Sequence, residues 1–253
     1  MHYEIFYSCI SHKGNIRSTN QDNFICDKRF MNSDATGVVF PLNGNVISTT
    51  PTLFGVFDGL GGEECGEIAS FIAAQTASCE INSKDSIAFM KNLCFNANHQ
   101  ICKFMKENLI YSMGTTAAML LFSKHNITLC NIGDSRIFRI SENEMFQVSM
   151  DHVSISPFGK KPFLSQNLGI PPEEVVIEPY FSSGDYFNGD KYLICSDGLT
   201  DMVSENEICQ IICSNSINDS TNLLLQKALE NGGRDNVTII LLEVKQKKFS
   251  LFK

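Results

Sequence analysis

The sequence has no tryptophan, no CxxC pair and no apolar run long enough to cross a bilayer. A membrane-spanning helix needs about 20 mostly apolar residues, so we expect no membrane span. The ten cysteines stand at irregular spacings, and no apolar leader opens the chain at MHYEIFYSCI. These features indicate reduced thiols in a cytoplasmic protein and argue against a disulfide framework or a zinc site.

Basic residues are scarce as well. The chain has 20 Lys and Arg against 28 Asp and Glu, a formal net charge of −8. Binding along a phosphate backbone needs a positive field, so nucleic acid is not an expected partner. A length of 253 residues with 43% hydrophobic content suits one globular unit. Since no repeat or linker divides the chain, we expect a single domain over 1–253 and a monomer.

Short β-rich runs bounded by Gly, Asn, Asp or Pro dominate the chain. We predict strands at 3–10, 22–26, 52–57, 115–122, 126–131, 135–140, 145–149, 174–181, 190–195 and 236–244. Apolar spacing and capping signals predict helices at 63–80, 84–109, 205–213 and 219–230. The strands between 115 and 149 follow one another too closely for crossover helices, which predicts an antiparallel meander there and an α+β fold.

One apolar run, LFGVFDGLGG, ends on Asp58 and continues into glycines, which let a ligand approach the backbone. Alone, this pattern is as typical of a tight turn. It recurs, however, at Asp197 in KYLICSDG and at Asp235 in GGRDNVTIILLEV, and Asp22 in RSTNQDNF stands at the start of an early strand. Four carboxylates therefore lie at predicted strand ends.

Such carboxylates, if they converge, need protons or cations between them. Two like charges about 4 Å apart repel by roughly 4 kcal/mol at an effective dielectric of 20. Oxygen ligands without a nearby His or Cys favour Mg²⁺ or Mn²⁺ over zinc. Two such ions could hold a water, lower its pKa and align it with a phosphoryl group, so we expect phosphate esters as substrates.

The chain resembles the metal-dependent type 2C protein Ser/Thr phosphatases, especially the compact bacterial members, in the order and spacing of its motifs. The motifs are RSTNQDNF, FGVFDGLGGEECGEIAS, GTTAAMLLF, CNIGDSRIFRI, MDHV, LICSDGLTDMVSENEI and GGRDNVTIILLEV. The resemblance implies a four-layer α-β-β-α sandwich of two antiparallel sheets flanked by helix pairs. It also implies that phosphoserine or phosphothreonine is hydrolysed by direct attack of a water or hydroxide bridging two Mn²⁺ or Mg²⁺ ions. The substrates would be phosphorylated proteins or peptides, in opposition to a Ser/Thr kinase.

The resemblance also assigns metal ligands. Asp58 would bridge both ions, and the Gly59 carbonyl would bind the second one. Asp197 and Asp235 would complete the first ion, and Asp22 would act through a water.

Two further positions carry assignments with open alternatives. Arg17 matches the family arginine that holds the substrate phosphate, a task suited to a planar guanidinium, or else it is a solvated surface charge. Asp134 would form a possible third metal position with Asp197, or else it ties down a hairpin turn. Arg136, two residues later, is expected to be a structural partner.

The chain departs from the family pattern in two ways: it lacks a glutamate and a histidine that family members carry. Gln21 stands where a Glu is common, which implies weaker occupancy of the second ion. Leu60 and Glu63 stand where members carry a histidine proposed as the general acid. His152 of MDHV is therefore the candidate general acid, with a structural role in the Asp151–His152 turn as the alternative.

The irregular excursion at 151–173 takes the place of the family's flap, a segment associated with substrate choice. Two other functions share these residues. The first is a catalytically silent regulatory module that binds phosphoproteins, which Gln21 and the missing histidines would suit. The second is a phosphatase of small phosphorylated metabolites.

Overall fold

The computed structural model describes residues 2–32, 39–60, 65–81, 83, 85–124, 126–154 and 163–247. The strands in these ranges are β1 (Tyr3–His12), β2 (Asp22–Cys26), β3 (Val39–Ile47), β4 (Thr52–Asp58), β5 (Ala117–Phe122), β6 (Ile127–Ile132), β7 (Arg136–Ser141), β8 (Glu144–Gln147), β9 (Tyr180–Gly184), β10 (Lys191–Cys195) and β11 (Val237–Gln246). The helices are α1 (Gly66–Ala77), α2 (Ser86–Asn108), α3 (Asp197–Thr200), α4 (Glu205–Ser214) and α5 (Ile217–Glu230).

The strands form two antiparallel sheets that are packed face to face. One sheet has the order β3-β1-β11-β10-β7-β8, and the other has the order β2-β4-β5-β6-β9. Helices α1 and α2 cover the second sheet, and α3, α4 and α5 cover the first. The α+β class and the four-layer α-β-β-α sandwich are therefore confirmed.

Strand alternation explains the layers. In β4, Phe54 and Val56 point into the core between the two sheets, while Leu53 and Phe57 point toward the helices. Successive side chains of a strand face opposite sides, so a strand with apolar residues at every position can fill two cores at once. In β4, polar side chains therefore stand only at the two ends of the strand, at Thr52 and Asp58.

The predicted meander between 115 and 149 is wrong in its connectivity. β5 and β6 form a hairpin in one sheet, whereas β7 and β8 form a hairpin in the other. The chain changes sheets at Gly133, where φ is +100° and a Cβ would lie 2.5 Å from Thr116 Cγ2. Only glycine fits this close approach. The tight turn that glycine allows takes the chain from one sheet to the other without a connecting helix.

Four other elements differ from the sequence prediction, and one of them is the short helix α3, which was not predicted. The strand expected at 174–181 begins only at Tyr180, because Pro179 has no N–H for a ladder. The edge strand β3 was missed, since Pro41, Asn43 and Gly44 resemble a loop and are tolerated at an edge. The helix expected at 63–80 is α1, which starts at Gly66; residues 63 and 64 lie outside the described part of the chain.

Candidate active site

Five aspartates meet at one end of the sandwich because each lies at or next to a strand terminus there. Asp22 is the first residue of β2 and Asp58 is the last residue of β4, and the two are paired directly across the ladder. Asp197 opens α3 after β10, Asp235 precedes β11 by two residues, and Asp134 precedes β7 by two residues. The strand order β11-β10-β7 brings the last three to the same end of the neighbouring sheet.

Asp22 is the most deeply placed of these carboxylates, with 2% of its surface exposed. Its Oδ2 accepts hydrogen bonds from Ser196 Oγ at 2.8 Å and from Thr238 Oγ1 at 2.7 Å. Its Oδ1 is buried and has no hydrogen-bond partner. Burial raises the pKa of Asp22 to about 7, against the lowering effect of these two hydroxyls. A buried carboxylate oxygen of this kind is suited to a cation or a bridging water.

Hydrogen bonds fix the backbone of Asp58, while its carboxylate is buried and repelled by neighbouring acids. Its carbonyl accepts from Thr115 Oγ1 and from the Thr116 N–H, both at 2.9 Å, and its N–H donates to Thr116 Oγ1 at 3.0 Å. Burial raises the pKa of Asp58 well above its usual value, and the charges of four other acids raise it further. In decreasing order of effect they are Asp22, Asp197, Asp134 and Asp235. The carboxylates thus lie near enough to repel one another.

Arg17 is bound to one of the predicted metal ligands. Its Nη2 lies 2.7 Å from Asp235 Oδ2, and the two side chains are 40% and 35% exposed. This hydrogen bond raises the pKa of Arg17, assisted by the charges of Asp235, Asp58 and Asp197. Arg17 therefore stands at the carboxylate cluster and is not an isolated surface charge.

Gly59 has no room for a side chain. A Cβ there would lie 2.4 Å from the Gly66 carbonyl oxygen and 2.5 Å from that of Gln21. Its N–H donates to the Gln21 carbonyl at 3.1 Å. The Gln21 side chain turns toward α1, where Nε2 donates to Glu67 Oε2 at 3.3 Å. Gln21 is thus engaged with a carboxylate next to the site.

Asp134 and Asp197 share an acidic cavity of about 190 Å³. Asp151 and Asp201 also line it, together with Arg136. Arg136 Nη2 lies 2.7 Å from Asp151 Oδ2, which confirms that Arg136 is a structural partner. The cavity therefore holds one cation side chain among four carboxylates, and that arginine is already paired.

His152 is attached to the turn that carries Asp134. Its backbone N–H donates to the Gly133 carbonyl at 2.9 Å, and its side-chain Nδ1 accepts from the Gly133 N–H at 3.3 Å. The imidazole thus supports the sheet crossing at Gly133. Glu63, one of the two residues that stand in place of the family histidine, lies outside the described residues.

Three supporting residues were missed by the sequence reasoning. Ser196 and Thr238 hold Asp22, and their signal is a hydroxyl beside or within an otherwise apolar run. Asn236 is buried, accepts from the Gln21 N–H at 2.8 Å and donates to the carbonyls of Lys13 and Thr19 at 2.9 Å. It fixes the loop between β1 and β2 against the start of β11, and so positions Arg17 and Asp22.

The donor set suits hard divalent cations, because it consists of carboxylates and backbone oxygens. Within the described ranges, no three Asp, Glu, His or Cys side chains stand close enough together to hold one ion as they lie. One of the carboxylates, Asp235, is engaged by Arg17. The unpartnered Asp22 Oδ1 and the raised pKa of Asp58 both indicate a site that gains from positive charge.

A four-layer sandwich with a carboxylate cluster at one end matches the architecture that the sequence resemblance implied. Residues 32–231 match a family model described as Protein phosphatase 2C. The chain belongs to the protein phosphatase 2C family.

Its relatives are bacterial serine/threonine phosphatases. The serine/threonine protein phosphatase PstP of Mycobacterium tuberculosis is 28% identical over 228 residues, which cover 82% of this chain and 43% of that protein. The serine/threonine phosphatase stp of Listeria welshimeri is 26% identical over 251 residues, covering 91% and 92%. This chain thus spans less than half of the mycobacterial protein but nearly all of the Listeria one.

A solved structure agrees with the fold. The catalytic domain of PstP, crystallised in complex with two manganese ions, superimposes with a TM-score of 0.78 at 25% identity. The match covers 96% of this chain and 100% of that domain.

Proposed function

We propose that this protein is a Mn²⁺- or Mg²⁺-dependent phosphatase that removes phosphate from serine and threonine residues of proteins. The observation that carries the proposal is the pairing of Asp22 with Asp58 at the end of the β2–β4 ladder, surrounded by three more aspartates. The names of the relatives and the manganese ions in the PstP domain support it.

We assign two cations to this cluster. Asp58, the Gly59 carbonyl, Asp197 and Asp235 would hold them, with Asp22 acting through a water. When bound, such ions lower the pKa of a water and neutralise phosphoryl charge. A third ion would lie in the acidic cavity between Asp134 and Asp197, the two family-matched positions that line it together.

The chain's own groups orient the substrate and the ligands. The Arg17 guanidinium has five N–H donors and uses Nη2 on Asp235, so its remaining donors can bind phosphoryl oxygens. Thr115 and Thr116 hold the Asp58 backbone. The Ser196 and Thr238 hydroxyls hold one oxygen of Asp22, while its second oxygen is buried without a hydrogen-bond partner. His152 stays a candidate for the general acid.

We further propose that residues 1–253 act as one monomeric domain in the cytoplasm, in opposition to a Ser/Thr kinase. None of the ten cysteines is in a disulfide bond, which suits a reducing compartment. Among the described helices, none is long and apolar enough to cross a membrane.

Hydrolysis of p-nitrophenyl phosphate and of a phosphothreonine peptide tests this function. Both reactions should require Mn²⁺ or Mg²⁺, stop with EDTA, and fall by about a hundredfold or more in Asp58→Asn. Asp185→Asn removes an exposed carboxylate remote from the cluster and serves as the matched control. Turnover that persists in EDTA would exclude the proposal. Peptide binding without phosphate release in saturating Mn²⁺ would identify a silent regulatory module instead.

A further inference from the structure

A buried series of hydrogen bonds leads from the loop before β2 to Asp22. It begins at Asn20, whose Nδ2 donates to Ser11 Oγ at 2.9 Å. Ser11 Oγ lies 2.8 Å from Thr238 Oγ1, and Thr238 Oγ1 donates to Asp22 Oδ2 at 2.7 Å. None of these four residues is more than 5% exposed, so water does not compete for the bonds. We call Asn20, Ser11 and Thr238 the Asn20 network.

The backbone holds the Asn20 network in place. Ser11 and Thr238 stand directly opposite each other in the ladder between β1 and β11, where hydroxyl side chains on facing positions form stabilising hydrogen bonds. Asn20 Oδ1 accepts the Asp22 N–H at 3.2 Å, which leaves Asn20 Nδ2 to donate to Ser11. The network is therefore anchored to a sheet at one end and to the Asp22 backbone at the other.

The two ends of the Asn20 network fix the direction of its hydrogen bonds. An amide nitrogen can only donate, so Ser11 Oγ accepts from Asn20. An ionised carboxylate can only accept, so the single hydroxyl proton of Thr238 goes to Asp22. The contact between Ser11 Oγ and Thr238 Oγ1 then uses the proton of Ser11. Every donor of the network is therefore directed toward Asp22 Oδ2.

Ser196 donates to the same oxygen. Its Oγ accepts from the Thr238 N–H at 2.9 Å and donates to Asp22 Oδ2 at 2.8 Å. Asp22 Oδ2 thus receives two hydroxyl donors, whereas Oδ1 is buried without a hydrogen-bond partner. Two donors on one oxygen hold a carboxylate in one orientation and leave its other oxygen for a cation or the water of a cation.

We propose that Ser11 is a positioning residue for the metal centre and acts through Thr238. Its hydroxyl keeps the Thr238 proton directed at Asp22 Oδ2, so that Oδ1 is the oxygen left for the water of a bound cation. Asn20 in turn fixes the direction of the Ser11 donor. This inference rests on the proposed phosphatase function and adds to it two residues that do not touch the cations or the substrate.

Ser11→Ala tests this role, with Ser8→Ala as the matched control. Ser8 belongs to the same strand and is buried, but its Oγ has no hydrogen-bond partner. In titration calorimetry, Ser11→Ala should bind Mn²⁺ about threefold more weakly than the wild type, and kcat for p-nitrophenyl phosphate should fall by about the same factor. KM should stay within about twofold, because Arg17, the proposed phosphate ligand, is not part of the network. Ser8→Ala should keep the wild-type values.

Thr238→Val and the double variant show whether Ser11 acts through Thr238. Thr238→Val keeps the branched shape but removes the hydroxyl, and it should weaken Mn²⁺ binding about tenfold, because hydrogen bonds to charged groups are the stronger ones. Ser11→Ala combined with Thr238→Val should match Thr238→Val alone, whereas independent effects would multiply to about thirtyfold. Thr238→Ser retains the hydroxyl and should bind Mn²⁺ within about twofold of the wild type.

Melting temperatures in EDTA show that each variant is folded at the assay temperature. Wild-type Mn²⁺ affinity and kcat in Ser11→Ala, or losses that multiply in the double variant, would overturn the positioning role. If Thr238→Val does not fold, the comparison of Ser11→Ala with Ser8→Ala decides alone, and equal Mn²⁺ affinity in these two variants would refute the proposal. Mn²⁺-dependent turnover by the wild type would leave the phosphatase function standing in each case.

Discussion

Arg17 and Asp235 form an ion pair at the carboxylate cluster, with Arg17 Nη2 2.7 Å from Asp235 Oδ2. The resemblance to type 2C phosphatases gives these residues separate tasks, with Arg17 on the substrate phosphate and Asp235 on a cation. In this structure Asp235 occupies one N–H donor of Arg17 that could bind the phosphate. Arg17 in turn occupies the Asp235 oxygen Oδ2, which could bind a cation. The pair is partly exposed, so its contribution is modest, about 1 kcal/mol or less. Cation binding at Asp235 is therefore in mild competition with Arg17.

Arg17→Ala should change metal and substrate binding in opposite directions. Loss of the competing cation should tighten Mn²⁺ binding up to about fivefold, since about 1 kcal/mol corresponds to that factor. Loss of a phosphate ligand should raise KM for p-nitrophenyl phosphate about tenfold. Titration calorimetry and steady-state kinetics give the two values. Arg234→Ala removes an exposed cation next to Asp235 in sequence and should alter neither by more than about twofold; weaker Mn²⁺ binding in Arg17→Ala would contradict the competition.

The burial of Asp22 should make the stability of the metal-free protein depend on pH. The folded-state pKa of Asp22 is about 7, above the ordinary value of 3.8, so the folded protein holds this proton more tightly than the unfolded chain does. The stability that this proton confers is complete below about pH 4 and is lost as the pH rises toward 7.

Asp22→Asn should remove this loss of stability at higher pH, because the asparagine side chain carries no charge. In EDTA, the melting temperature of Asp22→Asn minus that of the wild type should increase from pH 4 to pH 7 and then level off. Thermal melts followed by circular dichroism measure the difference. Asp185→Asn, at an exposed position, should give a difference that does not vary with pH, and a flat curve for Asp22→Asn would refute the assignment.

Gln21→Glu should strengthen cation binding at some cost to the metal-free fold. The new carboxylate adds a charge beside the cluster, so the weaker Mn²⁺ ion should bind several-fold more tightly. It would also replace the Gln21–Glu67 hydrogen bond of 3.3 Å by repulsion between two carboxylates, which should lower the melting temperature in EDTA. Gln21→Glu combined with Glu67→Gln should recover that melting temperature. Unchanged Mn²⁺ dependence in Gln21→Glu would show that Gln21 does not limit occupancy.

His152→Asn separates the structural role of this residue from proton donation. An Asn carbonyl oxygen can accept the Gly133 N–H in place of Nδ1 but does not titrate. We expect kcat for a phosphothreonine peptide to stay within about threefold of the wild type, because the observed contacts are structural. Melting temperatures of His152→Asn and His152→Ala check the turn, with only the alanine variant destabilised. A large loss confined to the peptide, with p-nitrophenyl phosphate unaffected, would instead establish His152 as the acid, since p-nitrophenolate leaves without one.

The sequence predicted the position of the carboxylate cluster better than the connectivity of the two sheets. Asp22, Asp58, Asp197 and Asp235 could be placed at strand ends because apolar runs terminate there, and antiparallel pairing brings such ends together. The sheet crossing at Gly133 could not be foreseen, since it depends on contact with Thr116 and not on local propensity. The Arg17–Asp235 pair joins residues 218 positions apart, and no local pattern encodes such a contact.

Asp22 belongs to β2, but the two hydroxyls that hold it come from β11 and from the residue after β10, in the opposite sheet. Its hydrogen bonds therefore connect the two sheets at the end of the sandwich where the reaction is expected. A core substitution that lets one sheet slide slightly over the other would misplace this carboxylate long before it unfolded the protein. Variants far from the cluster can thus be well folded and still slow.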